Sequence, residues 1–375
     1  MRFFNKNRKK LLEAHEYLRK RFKYSRDLLS EKDLEKFKEL DQQLRAELKQ
    51  FPADPKAQAS LVSHAEAQVT RLFPPPRFGG WTENVDVLLM AIVLALGIRA
   101  YLVQPFKIPT DSMKPTLYGI QVEPLPAEQN PPFYRKAIDW ALFGKTYCRI
   151  ETTSGGPLSA IREGRILGIP FLPKTEVRIG SETFSVPCSA KEFMQGSGLQ
   201  PGENVPPRSV AANFTVTSGD HIFVNKMVYH FRGPDRGEVF VFTTHGIRGI
   251  LRTMRPSEAT TQFYIKRCVG LPGDQLEIDP PFLLVNGRPL GGRKVFEDMA
   301  SRSNGHTGYK LLADNPFLGK AGESYQVPPQ SFWAMGDNSG FSFDSRGWGP
   351  VPQRNLVGTG LLVYWPFSRR WGPIQ

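Results

Sequence analysis

Apolar positions follow three different arrangements along this chain, and each predicts a different kind of element. Between residues 8 and 50, Leu11, Leu12, Leu18 and Phe22 recur at near-helical spacing, as do Leu34, Phe37, Leu40 and Leu44. Charged residues fill the positions between them, so the spacing predicts two amphipathic helices in a hairpin. Ser30, with Asp33 three positions on, reads as the cap that starts the second helix. The stretch "FPPPRFGG" (73–80) breaks the pattern and marks a boundary. The second arrangement has no period. In "WTENVDVLLMAIVLALGIRAYLVQPF" the run Val87 to Ile98 is wholly apolar, and Val87 to Val103 carries only one charge, Arg99. The uninterrupted run alone is short for a bilayer. An arginine near a helix end can reach the headgroups, and Trp81 and Tyr101 would stand near the two interfaces. One spanning helix over 82–104 is the expectation, too far along the chain for a cleaved leader.

Beyond Pro105 the pattern shortens again. "HIFVNKMVYHF", "GEVFVFTT", "TQFYIKRCVG", "DQLEIDPPFLLVNGRPL", "SFWAMGD" and "GTGLLVYW" are rich in aromatic and β-branched residues and separated by Gly, Pro and Asp. These predict strands. Residues 118–212 lack clean patterns and read as a large insertion with strands of its own at "KTEVRI" and "ETFSV". The segments are therefore a basic helical part over 1–80, a span over 82–104, and a β-rich domain over 105–375.

Composition supports many turns, with 34 Gly and 32 Pro. The net charge of +13 is concentrated early, where residues 1–26 hold ten Lys or Arg against Glu13 and Glu16. Such a stretch suits anionic lipid or nucleic acid. No nucleic-acid motif follows, which favours the membrane surface for the hairpin, or else a simple solvated extension. The six histidines show no HExxH pattern, and the cysteines Cys148, Cys188 and Cys268 form no CxxC pair or zinc-like spacing, so neither metal nor cofactor is expected. Cys148 and Cys188 could pair in an extracytoplasmic domain, and the odd count leaves one thiol over.

Chemistry centres on "IPTDSMKPTL" (108–117). Ser112 needs a base to become a nucleophile. His221, His230 and His245 lack an evident carboxylate partner. A lysine serves only if apolar surroundings lower its pKa. Lys266 in "QFYIKRCVGLPGD" has no adjacent acidic residue, and on a strand it would share a face with Tyr264 and Cys268, opposite Phe263 and Ile265. Lysines are common in strands, so from this stretch alone an ordinary strand lysine is the favoured reading. Lys114 is a rival by proximity, although its place beside Pro115 suggests exposure.

Four stretches, in order, resemble the boxes of the bacterial type I signal peptidases: "PTDSMKPTL", "SGDHIFVNKMVYHF" (218–231), "YIKRCVGLPGD" (264–274) and "GDNSGFSFDSRGWG" (336–349). The resemblance extends over most of 105–120 and 213–375. It implies a mainly β fold: an antiparallel β catalytic domain of the signal-peptidase type, preceded by one transmembrane helix and the N-terminal helical hairpin. It implies Ser112 as nucleophile and Lys266 as general base, with the Thr110 hydroxyl and the Ser112 N–H stabilising the oxyanion. Ser342 would orient the lysine amine, and Asp344 and Arg346 would form a structural pair. Phe106, Ile108, Met113, Leu117, Tyr264 and Ile265 would line shallow pockets that accept small residues in the A-x-A pattern. The substrates would be signal peptides of preproteins, with the phospholipid membrane as the other partner. The expected place is the bacterial cytoplasmic membrane, single-pass, with the N-terminus cytoplasmic and the catalytic domain outside. Two readings compete: a self-cleaving Ser/Lys repressor, which the span and the lack of a helix-turn-helix disfavour, and an inactive scaffold, which the presence of Thr110, Ser112, Lys266 and Ser342 disfavours.

Overall fold

The computed structural model describes residues 6–49, 55–73, 79–165, 173–251 and 262–375. The chain divides into two units, 1–94 and 95–375.

In the first unit the two expected helices are Lys6–Ser25 and Glu31–Lys49. The Asp33 backbone N–H donates to Ser30 Oγ at 3.3 Å, as the cap requires. A third helix, Pro55–Leu72, joins them. The hairpin is thus part of a three-helix bundle whose core holds Leu11, Leu18, Phe37, Leu40, Leu44, Val62 and Val69. The third helix escaped notice because its inward face is built from Ala65, Val62 and Val69 among small polar residues, a weak apolar stripe. Leu12 departs from the expected core and is 47% exposed. Leu11 and Leu18 lie two turns apart on one face, and a neighbour one position away points about 100° off it. Residues 74–78 of the boundary stretch, and the Trp81 side chain, lie outside what is described.

The apolar helix runs Gly79–Gly97 and continues as a wider turn over Ile98–Leu102. Its segment Asn84–Leu102 has mean hydropathy 2.1 and no part of it is buried. At Val103 the backbone turns extended, with φ −137 and ψ 127, so residues 103–104 belong to the following strand and not to the helix.

The second unit is built on an eight-stranded antiparallel sheet. In spatial order its strands are Val103–Lys107, His221–Asn225, Leu356–Trp365, Val239–Thr243, Phe263–Gly270, Ser331–Met335 and Val351–Pro352, with Gly372–Pro373 paired outside this path. Five of the six strand-like runs named above lie in or end in this sheet. The sixth, residues 274–290, supplies Gln275–Asp279, Phe282–Val285 and Arg288–Pro289 to a separate four-stranded sheet. Val239 to Phe242 are all buried, so the strand beside the lysine strand is apolar on both faces.

The insertion is a folded subdomain. Gln121–Pro124, Ser209–Thr217 and Lys145–Thr152 form one sheet, while Glu182–Val186, Pro173–Ile179, Gly156–Arg165 and Asn204–Val205 form another. The two strands expected there are both present. A helix, Ala190–Ser197, starts with a capping box in which Ser189 and Glu192 each bond the other's backbone N–H. The subdomain has its own core around Ile150, Leu158, Val177, Phe193 and Phe214.

Candidate active site

The edge strand Val103–Lys107 pairs with His221–Asn225, and the Ile108 N–H then bonds the Asp220 carbonyl at 2.9 Å. Past this point the chain leaves the sheet. Thr110 is extended, and Asp111–Met113 makes a single 3-10 turn. The Asp111 carboxylate holds the turn by accepting from the Gly119 N–H at 3.0 Å and Gln121 Nε2 at 2.7 Å. Gly119 must lack a side chain, because a Cβ there would run into the Thr110 backbone.

This turn brings Ser112 against the lysine strand. Ser112 Oγ and Lys266 Nζ lie 2.7 Å apart, and both residues are buried. Nζ also donates to the Ile265 carbonyl at 3.0 Å. The backbone partner of Lys266 across the sheet is Phe240, which is fully buried. Burial drives the Lys266 amine down from its ordinary 10.5 to about 8; the more distant Asp344 and Asp337 pull the other way and do not cancel it. A neutral amine at hydrogen-bond distance from a hydroxyl can take its proton.

Neither rival competes at this distance. Lys114 ion-pairs with Asp111 at 3.0 Å and lies over the Tyr118 ring. His221 stands opposite Lys107 and contacts Ser218 Oγ at 3.2 Å.

The fourth box closes the site from behind. The Asn338 N–H donates to the Ser112 carbonyl at 3.1 Å, and Asn338 Nδ2 to the Asp111 carbonyl at 3.1 Å. A Cβ on Gly336 would collide with both the Ser112 carbonyl and Ser342 Oγ, so glycine is required by close approach. In the sequence, Gly336, Asp337 and Asn338 suit a tight turn. Their bonding to a serine more than 200 positions earlier leaves no trace in local pattern.

Arg346 and Asp344 are both wholly buried and pair through Nε to Oδ1 at 2.9 Å and Nη2 to Oδ2 at 2.8 Å. The remaining Arg346 N–H groups bond the Lys310 and Ser339 carbonyls at 2.7 Å, tying the loop before Ser342 in place. A second buried pair was not foreseen. Arg267, the residue after the lysine, grips Asp337 at 2.7 and 2.6 Å. Asp220 and Asp274, each following a glycine, pair with Arg370 and Arg236, both at 2.8 Å.

Other expected positions are placed less uniformly. Ser342 is buried, but its Oγ has no hydrogen-bond partner among the described residues, and the lysine amine bonds Ser112 and Ile265 instead. Thr110 is exposed. Ile108, Met113 and Leu117 form one buried cluster, with Phe106 and Ile265 partly buried against it. Tyr264 packs on the other face, in a separate cluster with Phe242 and Trp348. Phe106 meets Phe263 edge-on at 5.2 Å, and Phe263 is 49% exposed. An apolar lip therefore borders the serine and lysine strands, one residue of which was not on the expected pocket.

Comparison with known proteins finds relatives of this chain. Residues 203–365 match the family model for signal peptidase, peptidase S26, a range that includes Lys266 and Ser342 and stops short of Ser112. A signal peptidase I of Leptolyngbya laminosa is 31% identical over 184 residues, covering 48% of this chain and 73% of that protein. A signal peptidase I of Mycobacterium tuberculosis (strain ATCC 25618 / H37Rv) is 30% identical over 216 residues, 49% of this chain and 69% of that one. The thylakoidal processing peptidase 1 of Arabidopsis thaliana is 29% identical over 173 residues, 46% of this chain and 44% of its own. By sequence likeness that reaches across more than two thirds of the two bacterial enzymes, this chain belongs to the signal peptidase I family, whose members cleave signal peptides from preproteins.

Proposed function

We propose that the chain is a membrane-anchored serine endopeptidase that removes signal peptides with a Ser112/Lys266 dyad. The carrying observation is the 2.7 Å approach of Ser112 Oγ to a buried amine whose pKa is lowered to about 8. In the neutral state, Nζ accepts the hydroxyl proton as Oγ attacks the scissile carbonyl. The tetrahedral oxyanion is met by the Ser112 N–H and the Thr110 hydroxyl, whose exposure leaves it free to turn toward substrate. The protonated lysine then gives its proton to the departing amine. An acyl-serine remains, and the same lysine activates the water that hydrolyses it.

Ser342 is proposed to orient the amine. Its partnerless buried hydroxyl lies beside Gly336 and is free to bond Nζ when the lysine releases Ser112. Asp344 and Arg346 hold that loop. For specificity, Ile108, Met113 and Leu117 form a buried floor while Phe106 and Ile265 stand higher against it, which suits shallow pockets for small residues. The substrate would lie extended along this lip.

Anchoring is assigned to Asn84–Leu102. Lys226 Nζ donates to the Ala100 carbonyl at 2.7 Å, so the end of that segment is bonded directly to the catalytic sheet. Ser112 lies ten positions beyond Leu102, which keeps the nucleophile close to the emerging cleavage site. The basic helical part belongs in the cytoplasm and the β domain on the far side of the bacterial cytoplasmic membrane. The test is cleavage of a signal-peptide-bearing preprotein by wild type, Ser112→Ala and Lys266→Ala in reconstituted membranes. Both variants should insert and fail to cut; residual cutting by pure Ser112→Ala removes the serine from the mechanism.

A further inference from the structure

We propose that Cys148 and Cys188 are joined by a disulfide in the mature protein, stapling together the two sheets of the insertion. Cys148 sits within Lys145–Thr152, the edge strand of the three-stranded sheet, opposite Phe214. Cys188 lies just past Glu182–Val186, the edge strand of the four-stranded sheet. Both side chains are 1% exposed and belong to one hydrophobic core. Both thiols are free in the structure, and Cys188 is close enough to be the main influence that raises the Cys148 thiol.

The backbone around Cys188 is fixed on both sides. Its carbonyl accepts from Thr175 Oγ1 at 2.7 Å, and the next residue, Ser189, caps the helix Ala190–Ser197. Cys268 offers no competing pairing. It is wholly buried in a different core, with its thiol directed to the Gly270 carbonyl. Two S–H bonds break and one S–S bond forms, and the two protons and two electrons pass to the disulfide of a thiol–disulfide oxidant, which becomes a dithiol.

The neighbouring Cys188 side chain, and after it burial, raise the Cys148 thiol well above its ordinary value, and exchange needs a thiolate. The folded subdomain therefore exchanges slowly, so the bond forms while the insertion folds and then persists as a fixed cross-link. The proposal rests on the placement of this domain in the oxidising compartment, as argued above. Its test needs no proteolysis, so its failure is separate from failure of the protease mechanism.

Membranes holding the full-length protein are acid-quenched, denatured and alkylated before and after reduction, then mapped by peptide mass. Cys268 alone should be alkylated before reduction, with a linked peptide joining Cys148 to Cys188. In detergent, reductant should lower the melting temperature of wild type by roughly 5–10 °C and leave C148S, C188S and the double variant unmoved. Three alkylated cysteines before reduction, a link through Cys268, or a wild-type melt indifferent to reductant would each overturn the proposal.

Discussion

Replacing Lys266 with methionine should stabilise the protein at neutral pH while ending its proteolysis. The amine is driven from its ordinary 10.5 to about 8 by burial. At about 1.36 kcal/mol per pH unit, carrying the charge in the folded chain costs about 3 kcal/mol. The folded state holds this proton less tightly than the unfolded state does. The penalty is therefore complete below pH 8, fades as pH rises, and is gone above 10.5, where both states are neutral. Methionine matches the length and lacks the charge, but it forfeits the bonds to Ser112 Oγ and the Ile265 carbonyl. At about 1 kcal/mol each, those losses leave a net gain of about 1 kcal/mol near neutrality. The pH dependence isolates the electrostatic part, because the lost bonds do not share it. Urea or thermal unfolding of detergent-solubilised wild type and K266M, followed from neutral pH to 10.5, gives the two curves. The variant should gain on wild type by about 3 kcal/mol in going from the high-pH limit to neutrality. A difference that stays constant with pH would refute the claim that the fold holds this lysine against its charge.

The remaining predictions concern the same site. The kcat/KM of wild type should rise about tenfold per pH unit below about 8 and level off above it, since the neutral amine is the working form; a profile flat through that range contradicts a lysine base. Thr110→Val should lower kcat by roughly 10²–10³-fold with KM and melting unchanged, while Thr110→Ser should keep most activity. Gly336→Ala should cost about 10²-fold in kcat, because the added Cβ displaces the Ser112 carbonyl, and a melting curve should show the fold retained. Arg346→Met should destabilise by about 3–5 kcal/mol by leaving Asp344 buried without its partner, readable in urea unfolding.

What could be read from the chain and what could not differ in kind. Strand runs such as "GEVFVFTT" and "SFWAMGD" carry their own signal, because β-branched and aromatic residues between turn formers prefer a pleated, half-buried surface. The face assignment on the lysine strand was legible for the same reason: Ile265 enters one core, and Tyr264 and Cys268 enter the other. The approach of Ser112 to Lys266 is not a local property, and only the resemblance to a family pointed to it. The pinning of the serine turn by Asn338, and the grip of Arg267 on Asp337, depend on contacts across the fold that no spacing encodes. The third bundle helix was hidden by the weak contrast between Ala and its polar neighbours; in the insertion only "KTEVRI" and "ETFSV" carry a clear strand signal, because its longer strands lie among many Pro and Gly residues.

The bonds from Asn338 to the serine turn set an order of events in time. Ribosomes deliver Ser112 long before Lys266, which follows 154 positions later, and Asn338 comes 227 positions after Asp111. Until the last of these has emerged and docked, Ser112 lacks its proposed base, its brace, or both. On the proposed mechanism, a newly made chain is therefore inert by construction until residues as far along as Asn338 have been made and have docked on the serine turn.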